Sequence, residues 1–550
     1  MFDSIAETAQ DVTKILEAKY DAAIASGRFS VFLYPWGTVG AAAIILYLLI
    51  DHRSSPLLKS LRWPVWLFSA AFSIYCVLFT RARNPAAAFG VGLISAWSLL
   101  WTATIVLVND CQTDFRRIER RERVLDESSS KTQGPAVSSS VDTALAANGQ
   151  RNETTLSQRA NSAANGAPAG SQQPPAQRQG TFTWQSYPTA PFVERLDWVA
   201  DIFCNFRGMG WNWRIAGLSP PPLAVQEDLA RNDGETISKE DPCVGRLGNR
   251  RYLTNDALLR QHIYLFVRNY LVLDLMKTLI AHDPYMWGVV GISDEPAPGY
   301  LPASIGMYPV ARKMVRLLVS LASISYALEF IFALGPLFFV GLVGTRYIGA
   351  RAEPWMYPDH FGSFSNVLDK GLAGWWGGWW HQSFRFSFQE PGRVLVEALG
   401  MDQKGQAARL LQLFVAFTLS GMLHVCGSYT QNGHTTPLSG PLVFFLSQAV
   451  GIALQMVLRG WLKKTGVSEK CPKWLVRTVN FTYAHVWLYF TAPFLVDDFA
   501  RGGIWLFEPV PVSIFRGLGF GSKHDGVWQW YGQIAVWHKG KHWWDTGIAL

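Results

Sequence analysis

LLQLFVAFTLSGMLHVCGSYTQNGHTTPLSGPLVFFLSQAVGIALQMVL, residues 410–458, runs for 49 positions without an Asp, Glu, Lys or Arg. A helix that crosses the apolar core of a bilayer needs about 20 residues. This stretch is therefore long enough for two crossings around the polar turn Ser428–Pro437. Soluble cores do not produce apolar runs of this length. The same pattern recurs outward in both directions. Ser30–Ile50, Trp63–Thr80 and Asn84–Asn109 carry no charge, Leu317–Thr345 is interrupted only by Glu329 and the breaker Gly335-Pro336, and Thr478–Val496 closes the set. That makes about seven crossings, with Gln261–His282 as an eighth despite Arg268, Asp274 and Lys277. The chain reads as an all-α polytopic membrane protein, a helical bundle of about 8–10 transmembrane segments.

Composition agrees. Of 550 residues, 49% are hydrophobic and only 16% charged, which excludes disorder for most of the chain and argues against a nucleic-acid binder despite a net charge of +8. Much of the Arg lies in Arg116, Arg117, Arg120, Arg121 and Arg123, directly after the third run. There it reads as orientation against lipid headgroups, with the following loop in the cytosol. Four regions follow. Residues 1–28 alternate charges with Ile5, Val12, Ile15 and Leu16, as an amphipathic surface helix does, not a cleaved leader. Residues 29–110 hold three spans. Residues 111–180 are basic, then Ser/Ala/Gln/Asn/Pro-rich with no aromatic from Arg116 to Thr181, so about 125–180 is expected to be disordered. Residues 181–550 form the second membrane block. The sequon at Asn152 falls in the loop placed in the cytosol and is read as chance.

Polar groups inside lipid are functional candidates by default. His424 sits in Ser420-Gly-Met-Leu-His-Val-Cys-Gly-Ser428. On a helix Ser420, Gly421, Gly427 and Ser428 share its face, leaving room for a cavity or for close helix packing. Desolvation there favours the neutral imidazole, the form a general base needs; the competing role is a buried structural His. His381 ends Gly374-Trp-Trp-Gly-Gly-Trp-Trp-His381-Gln382. Read as a helix, Trp375/Trp379 and Trp376/Trp380 pair at i,i+4, with Arg385 one turn beyond His381. Gly377 and Gly378 each cost about 1 kcal/mol in a helix interior, so something should need their smallness. The alternative for this stretch is an aromatic interfacial anchor. His485 reads as a satisfied core residue, His434 faces a possible site mouth, Asp274 and Lys277 pair with each other, and Asp497, Asp498 and Arg501 are solvated helix-end charges. The six Cys show no zinc or disulfide spacing. No GxSxG, P-loop, HExxH or dinucleotide fingerprint is present, and no internal repeat is visible.

Arg207–Trp213, Phe361–Asn366 with Trp375–Gln382, Leu419–His424, Thr491–Asp498, Gly502–Ser513 and Trp543–Leu550 together resemble the wax-synthase branch of the membrane-bound O-acyltransferases. The resemblance covers about residues 190–550. It implies a buried reaction tunnel and transfer of an acyl group from acyl-CoA to the hydroxyl of a lipophilic alcohol, in the endoplasmic reticulum. It also implies that His424 is the catalytic base and that His381 orients a substrate or polarises the carbonyl. Gln382, Arg385, Trp376, Trp380, Ser420 and Ser428 then contact substrate, with Arg385, Lys404 and Arg409 as candidates for the CoA phosphates. Here Gly377-Gly378-Trp379 stands where the family usually has Gly-Arg-Arg. Acyl-CoA is a co-substrate in this reading, and no permanent cofactor or metal is expected. The acceptor class stays open between wax-type alcohols, sterols and secondary-metabolite hydroxyls. A transporter or scaffold that keeps the fold without catalysis is the rival.

Overall fold

The computed structural model describes residues 8–122, 180–189, 191–236, 241–466, 470–521, 525–530 and 535–550. The expected disordered loop at about 125–180, its sequon and His524 lie outside them.

Among the described residues, five helical segments are long and apolar enough to cross a membrane: Pro56–Phe79, Pro85–Val108, Pro309–Val343, Gln406–Thr430 and Leu438–Lys464. The all-α polytopic fold read from the sequence is thus present. Other apolar runs take different shapes. Ser30–Ile50 yields only the short helix Trp36–Leu48. Thr478–Val496 is split by Pro493 into Lys473–Thr491 and Pro493–Gly502, since Pro removes an N–H and is tolerated best at a helix start. Gln261–His282 is a helix, Asn255–Ile280, begun by the Thr254 side chain, which accepts from Ala257 N. In Pro309–Val343, Pro336 does not end the helix. It widens the ladder to a π-turn over Leu337–Val343 that stops at Gly344.

The deepest crossing joins Pro85–Ala103 to Gln406–Thr430. A methyl added to Gly92 would lie 1.9 Å from Cys426 O, and one on Gly427 would lie 2.7 Å from the Phe89 ring. Gly92 N also donates to Thr430 Oγ1 at 3.2 Å. Small residues let membrane helices approach this closely. The contact fixes direction: the end of Gln406–Thr430 lies at the start of Pro85–Ala103, so the two run antiparallel. Lys404, Arg409, Lys463 and Lys464 therefore gather at the end where Arg116 and Arg117 emerge.

Part of the Arg run departs from the expected role. Arg117–Glu122 is a strand paired antiparallel with Gly180–Gln185, with Arg117 opposite Gln185. Arg117 is 2% exposed and bonds Asp197 at 2.5 Å and Asp201 at 3.2 Å, while Arg120 bonds Glu353. These cations neutralise buried carboxylates instead of facing lipid headgroups, because an unpaired buried charge is far costlier than a screened surface one. At the opposite end, helix Ala9–Ala25 buries Val12, Leu16 and Tyr20 and ties Arg83 to Glu17 and Asp21. Leu33–Tyr34 pairs there with Gly547–Ala549.

Candidate active site

His424 projects from the middle of the bundle, on the helix that packs against Pro85–Ala103. Its Nδ1 lies 2.8 Å from Ser420 O, one turn back. A carbonyl oxygen can only accept, so Nδ1 carries the proton and Nε2 of the neutral ring keeps its lone pair. Nε2 makes no hydrogen bond and is not sealed by packing. The ring is half-buried. Phe445 flanks it at 4.4 Å and Phe89 at 6.3 Å between ring centres. Of its small neighbours, Gly421 and Gly427 serve close packing against Leu442 and Phe89.

The Trp-rich stretch is not one continuous helix. Ser365–Gly374 passes into a π-turn over Trp375–Trp379, closed by Trp380 N donating to Trp375 O at 2.8 Å. The chain then turns, and a new helix begins at Arg385. The two glycines have separate reasons. A methyl on Gly378 would strike Asn366 at 2.6 Å, and Gly362 packs on the Gly378 carbonyl, so this one answers to its protein neighbours. Gly377 is exposed, and a methyl there would meet nothing within 4 Å. Arg385 Nη1 donates to Gly377 O at 3.4 Å and Gln382 Oε1 at 3.1 Å, and Nε donates to Gln389. Its guanidinium therefore lies at the same opening with amide and carbonyl partners. Gln382 is buried and braces the turn, donating to Trp376 O at 2.9 Å and Trp380 O at 2.6 Å.

Aromatic rings line the route between the two histidines. Phe445 meets Trp376 at 6.0 Å, Trp376 meets Trp380 at 5.8 Å, and Trp380 meets His381 at 5.5 Å. Trp376 Nε1 is held by Gln448 Oε1 at 3.3 Å. His381 Nδ1 is buried without a hydrogen bond. Burial, reinforced by His424 and Arg207, pushes this imidazole down to about 3. The structure thus strings His424, Phe445, Trp376, Trp380 and His381 along one aromatic row, with Arg385 bonded to Gln382 beside its His381 end.

His360 was not singled out from the sequence, where it stands beside Asp359 in a polar loop. Its ring stacks on Phe332 at 4.0 Å, and Phe332 meets His381 at 5.6 Å. Burial holds it well below the usual imidazole range, with Arg207 and His381 adding to the effect. Arg207 fixes the loop by donating to Pro358 O at 2.8 Å and Asp359 O at 2.9 Å. No local pattern marks this contact; it joins segments about 150 residues apart.

Other expectations need revision. Asp274 and Lys277 do not pair: Asp274 accepts from Ser513 Oγ, Ile514 N and Phe515 N, while Lys277 donates to Trp505 O. Each finds more complete partners across the fold than its neighbour offers. Asp498 is buried, not solvated, and Asp497 accepts from Tyr285 OH at 2.8 Å. His434 is exposed near Lys19 of the N-terminal helix. His485 packs edge-on against Trp375 at 5.7 Å.

Comparison with known proteins follows this geometry. Residues 357–447, which hold His360, His381 and His424, match the membrane bound O-acyl transferase family model. The chain is 27% identical over 276 residues to the O-mevalon transferase yanI of Aspergillus niger, covering 48% of this chain and 53% of that protein. It is 24% identical over 305 residues to the acetyltransferase ple2 of Rhodocybe pseudopiperita (55% and 66% covered), and 24% identical over 358 residues to the acetyltransferase pyr8 of Aspergillus fumigatus (64% and 75%). The chain thus spans about half to three-quarters of the length of these relatives. No solved structure matches. The chain is thus similar to the membrane bound O-acyl transferase family over residues 357–447, and to fungal acetyltransferases and O-mevalon transferases over longer stretches.

Proposed function

We propose that the protein is an acyl-CoA-dependent O-acyltransferase of the endoplasmic reticulum membrane. It places an acetyl or fatty acyl group on the hydroxyl of a lipophilic alcohol, with His424 as general base. The tautomer of His424 is the observation that carries this reading: Nδ1–H is committed to Ser420 O, and Nε2 keeps a free lone pair. The acceptor hydroxyl gives its proton to Nε2 as its oxygen attacks the thioester carbonyl. The C–S bond then breaks, and the imidazolium returns the proton to the departing CoA thiolate. This needs no covalent acyl-enzyme, only both substrates bound together. His381 lies along the same aromatic wall and orients the thioester or polarises its carbonyl.

The arrangement of charge supports a direction of entry. Basic residues gather at the Arg116 end, which the positive-inside rule assigns to the cytosol, the compartment of acyl-CoA. Arg385 opens toward Gly377 with no carboxylate bonded to it among the described residues, and suits an anionic group of CoA. Lys404 and Arg409 are exposed nearer the basic end. The acceptor enters from the bilayer. Microsomes supplied with labelled acetyl- or palmitoyl-CoA should yield an acylated lipid seen by mass spectrometry, and His424→Ala should abolish it at equal expression. Undiminished product from that variant would overturn the mechanism.

A further inference from the structure

The loop that carries His360 is fixed on both sides of it. Arg207 donates to Pro358 O and Asp359 O, and Asn249 Nδ2 donates to Asp359 O at 2.8 Å and Phe361 O at 3.1 Å. Tyr252 OH reaches the Asp359 carboxylate at 2.8 Å. His360 itself bonds nothing. Neither of its ring nitrogens has a hydrogen-bond partner among the described residues, and neither is sealed by packing. The same holds for Nε2 of His381. Other imidazoles of the bundle differ: His262 and His282 turn Nδ1 to a carbonyl one turn back, at 2.9 and 2.8 Å, and His52 reaches Asp110 at 3.3 Å. A half-buried polar ring left without a partner, on a backbone tied down around it, is placed to meet a group from outside the chain.

Position says which group comes past it. The segment leading to the loop belongs to the basic end. Arg351 pairs there with Glu119 of strand Arg117–Glu122 at 2.5 Å, Tyr357 OH donates to Arg351 O at 2.8 Å, and Trp355 and Met356 pack with Ile118 and Phe182. On the other side Phe332 bridges two rings, 4.0 Å from His360 and 5.6 Å from His381. His424 lies past the middle of a helix that starts at the basic end. The rings are therefore met in the order His360, His381, His424 by a molecule entering from that end. An acyl-CoA entering there leads with its thioester and draws in behind it the pantetheine stem, whose polar groups are secondary amides. Burial keeps His360 uncharged, so its ring offers one N–H and one lone pair, the complements of an amide C=O and N–H. A phosphate would call for a cation instead.

We infer that His360 holds an amide of the pantetheine stem and so positions the thioester toward His381 and His424. It rests on the acyltransfer reading, and separate readouts of binding and of transfer keep the two failures apart.

CoA and 3′-phospho-ADP differ by the stem alone. Purified full-length protein is titrated with each by calorimetry, as wild type and as His360→Phe, which keeps the stack on Phe332 and removes both nitrogens. The wild type should bind CoA more tightly than the stemless nucleotide. His360→Phe should weaken CoA about tenfold, the size of one hydrogen bond left unmade, and leave 3′-phospho-ADP unchanged. A structural role alone would weaken both alike. Transfer in microsomes should follow, with kcat/KM for acetyl- or palmitoyl-CoA about tenfold lower in the variant. His360→Leu serves the same comparison if the Phe variant does not fold. Wild-type transfer with CoA affinity unchanged in the variants, or lowered together with that of 3′-phospho-ADP, would overturn the stem site and leave the acyltransfer reading. Stem-selective binding lost in the variants, with no transfer to any lipid by the wild type, would do the reverse. Neither CoA binding nor transfer in the wild type would overturn both.

Discussion

His424 and His381 place different demands on their surroundings, and substitution should separate them. Loss of a positioned general base costs about 10²–10⁴-fold in rate, so His424→Ala should lower kcat to that extent with little change in melting temperature, measured on purified protein. His381→Asn should be milder than His381→Ala if an orienting hydrogen bond matters; equal losses would argue for bulk alone. The paired glycines offer a sharper contrast. Gly378→Ala collides with Asn366 and should destabilise the protein, whereas Gly377→Ala meets nothing and should fold normally while narrowing the opening beside Arg385. Its effect should appear in the KM for acyl-CoA. Acid should also act through the interior imidazoles. His360 and His381 are held neutral by burial when folded, but take up a proton near 6.5 once unfolded. The unfolded state therefore binds more protons as pH falls below 6.5, and stability drops, by about 2 kcal/mol for each His between pH 7 and 5. The fall in melting temperature over that interval should shrink in His360→Asn and in His381→Asn.

At the scale of elements, the site depends on one helix crossing and one short strand pair. Gly92 and Gly427 bring the His424 helix against Pro85–Ala103. Gly92→Leu should force the helices apart and abolish activity together with thermal stability, a joint loss unlike that of His424→Ala. Arg117 is buried between Asp197 and Asp201. Arg117→Ala would leave Asp201 without its ion pair, Asp197 keeping only Arg351, and should cost about 3–5 kcal/mol, checked by the melting temperature. Of the five π-helical turns among the described residues, one follows Pro336 and one contains Pro441, where a missing N–H disturbs the ladder. The turn at Trp375–Trp379 contains no Pro, and it aims Trp376, Trp380 and His381 along one wall.

Over the whole molecule, charge and topology make one directional prediction. Lys464 and Arg116 share an end, and His434 lies at the other, beside the N-terminal helix. In sealed microsomes, with Cys204, Cys243 and Cys471 replaced by Ser, an impermeant thiol reagent should label Lys464→Cys from outside, while His434→Cys should react only after permeabilisation. The reverse pattern would put the basic end in the lumen and remove the proposed cytosolic entry for CoA.

The membrane character, the helical frame and the two principal histidines were legible in the sequence, because lipid demands long uncharged runs and makes each polar residue inside them conspicuous. Local patterns could not show where partners lie far along the chain. His360 reaches His381 through Phe332 and a loop held by Arg207, Asp498 closes on the turn after His424, and Asp274 and Lys277 ignore each other for partners near residue 510. Hydropathy reports what a segment is surrounded by; which buried donor finds which acceptor is settled only when the helices pack.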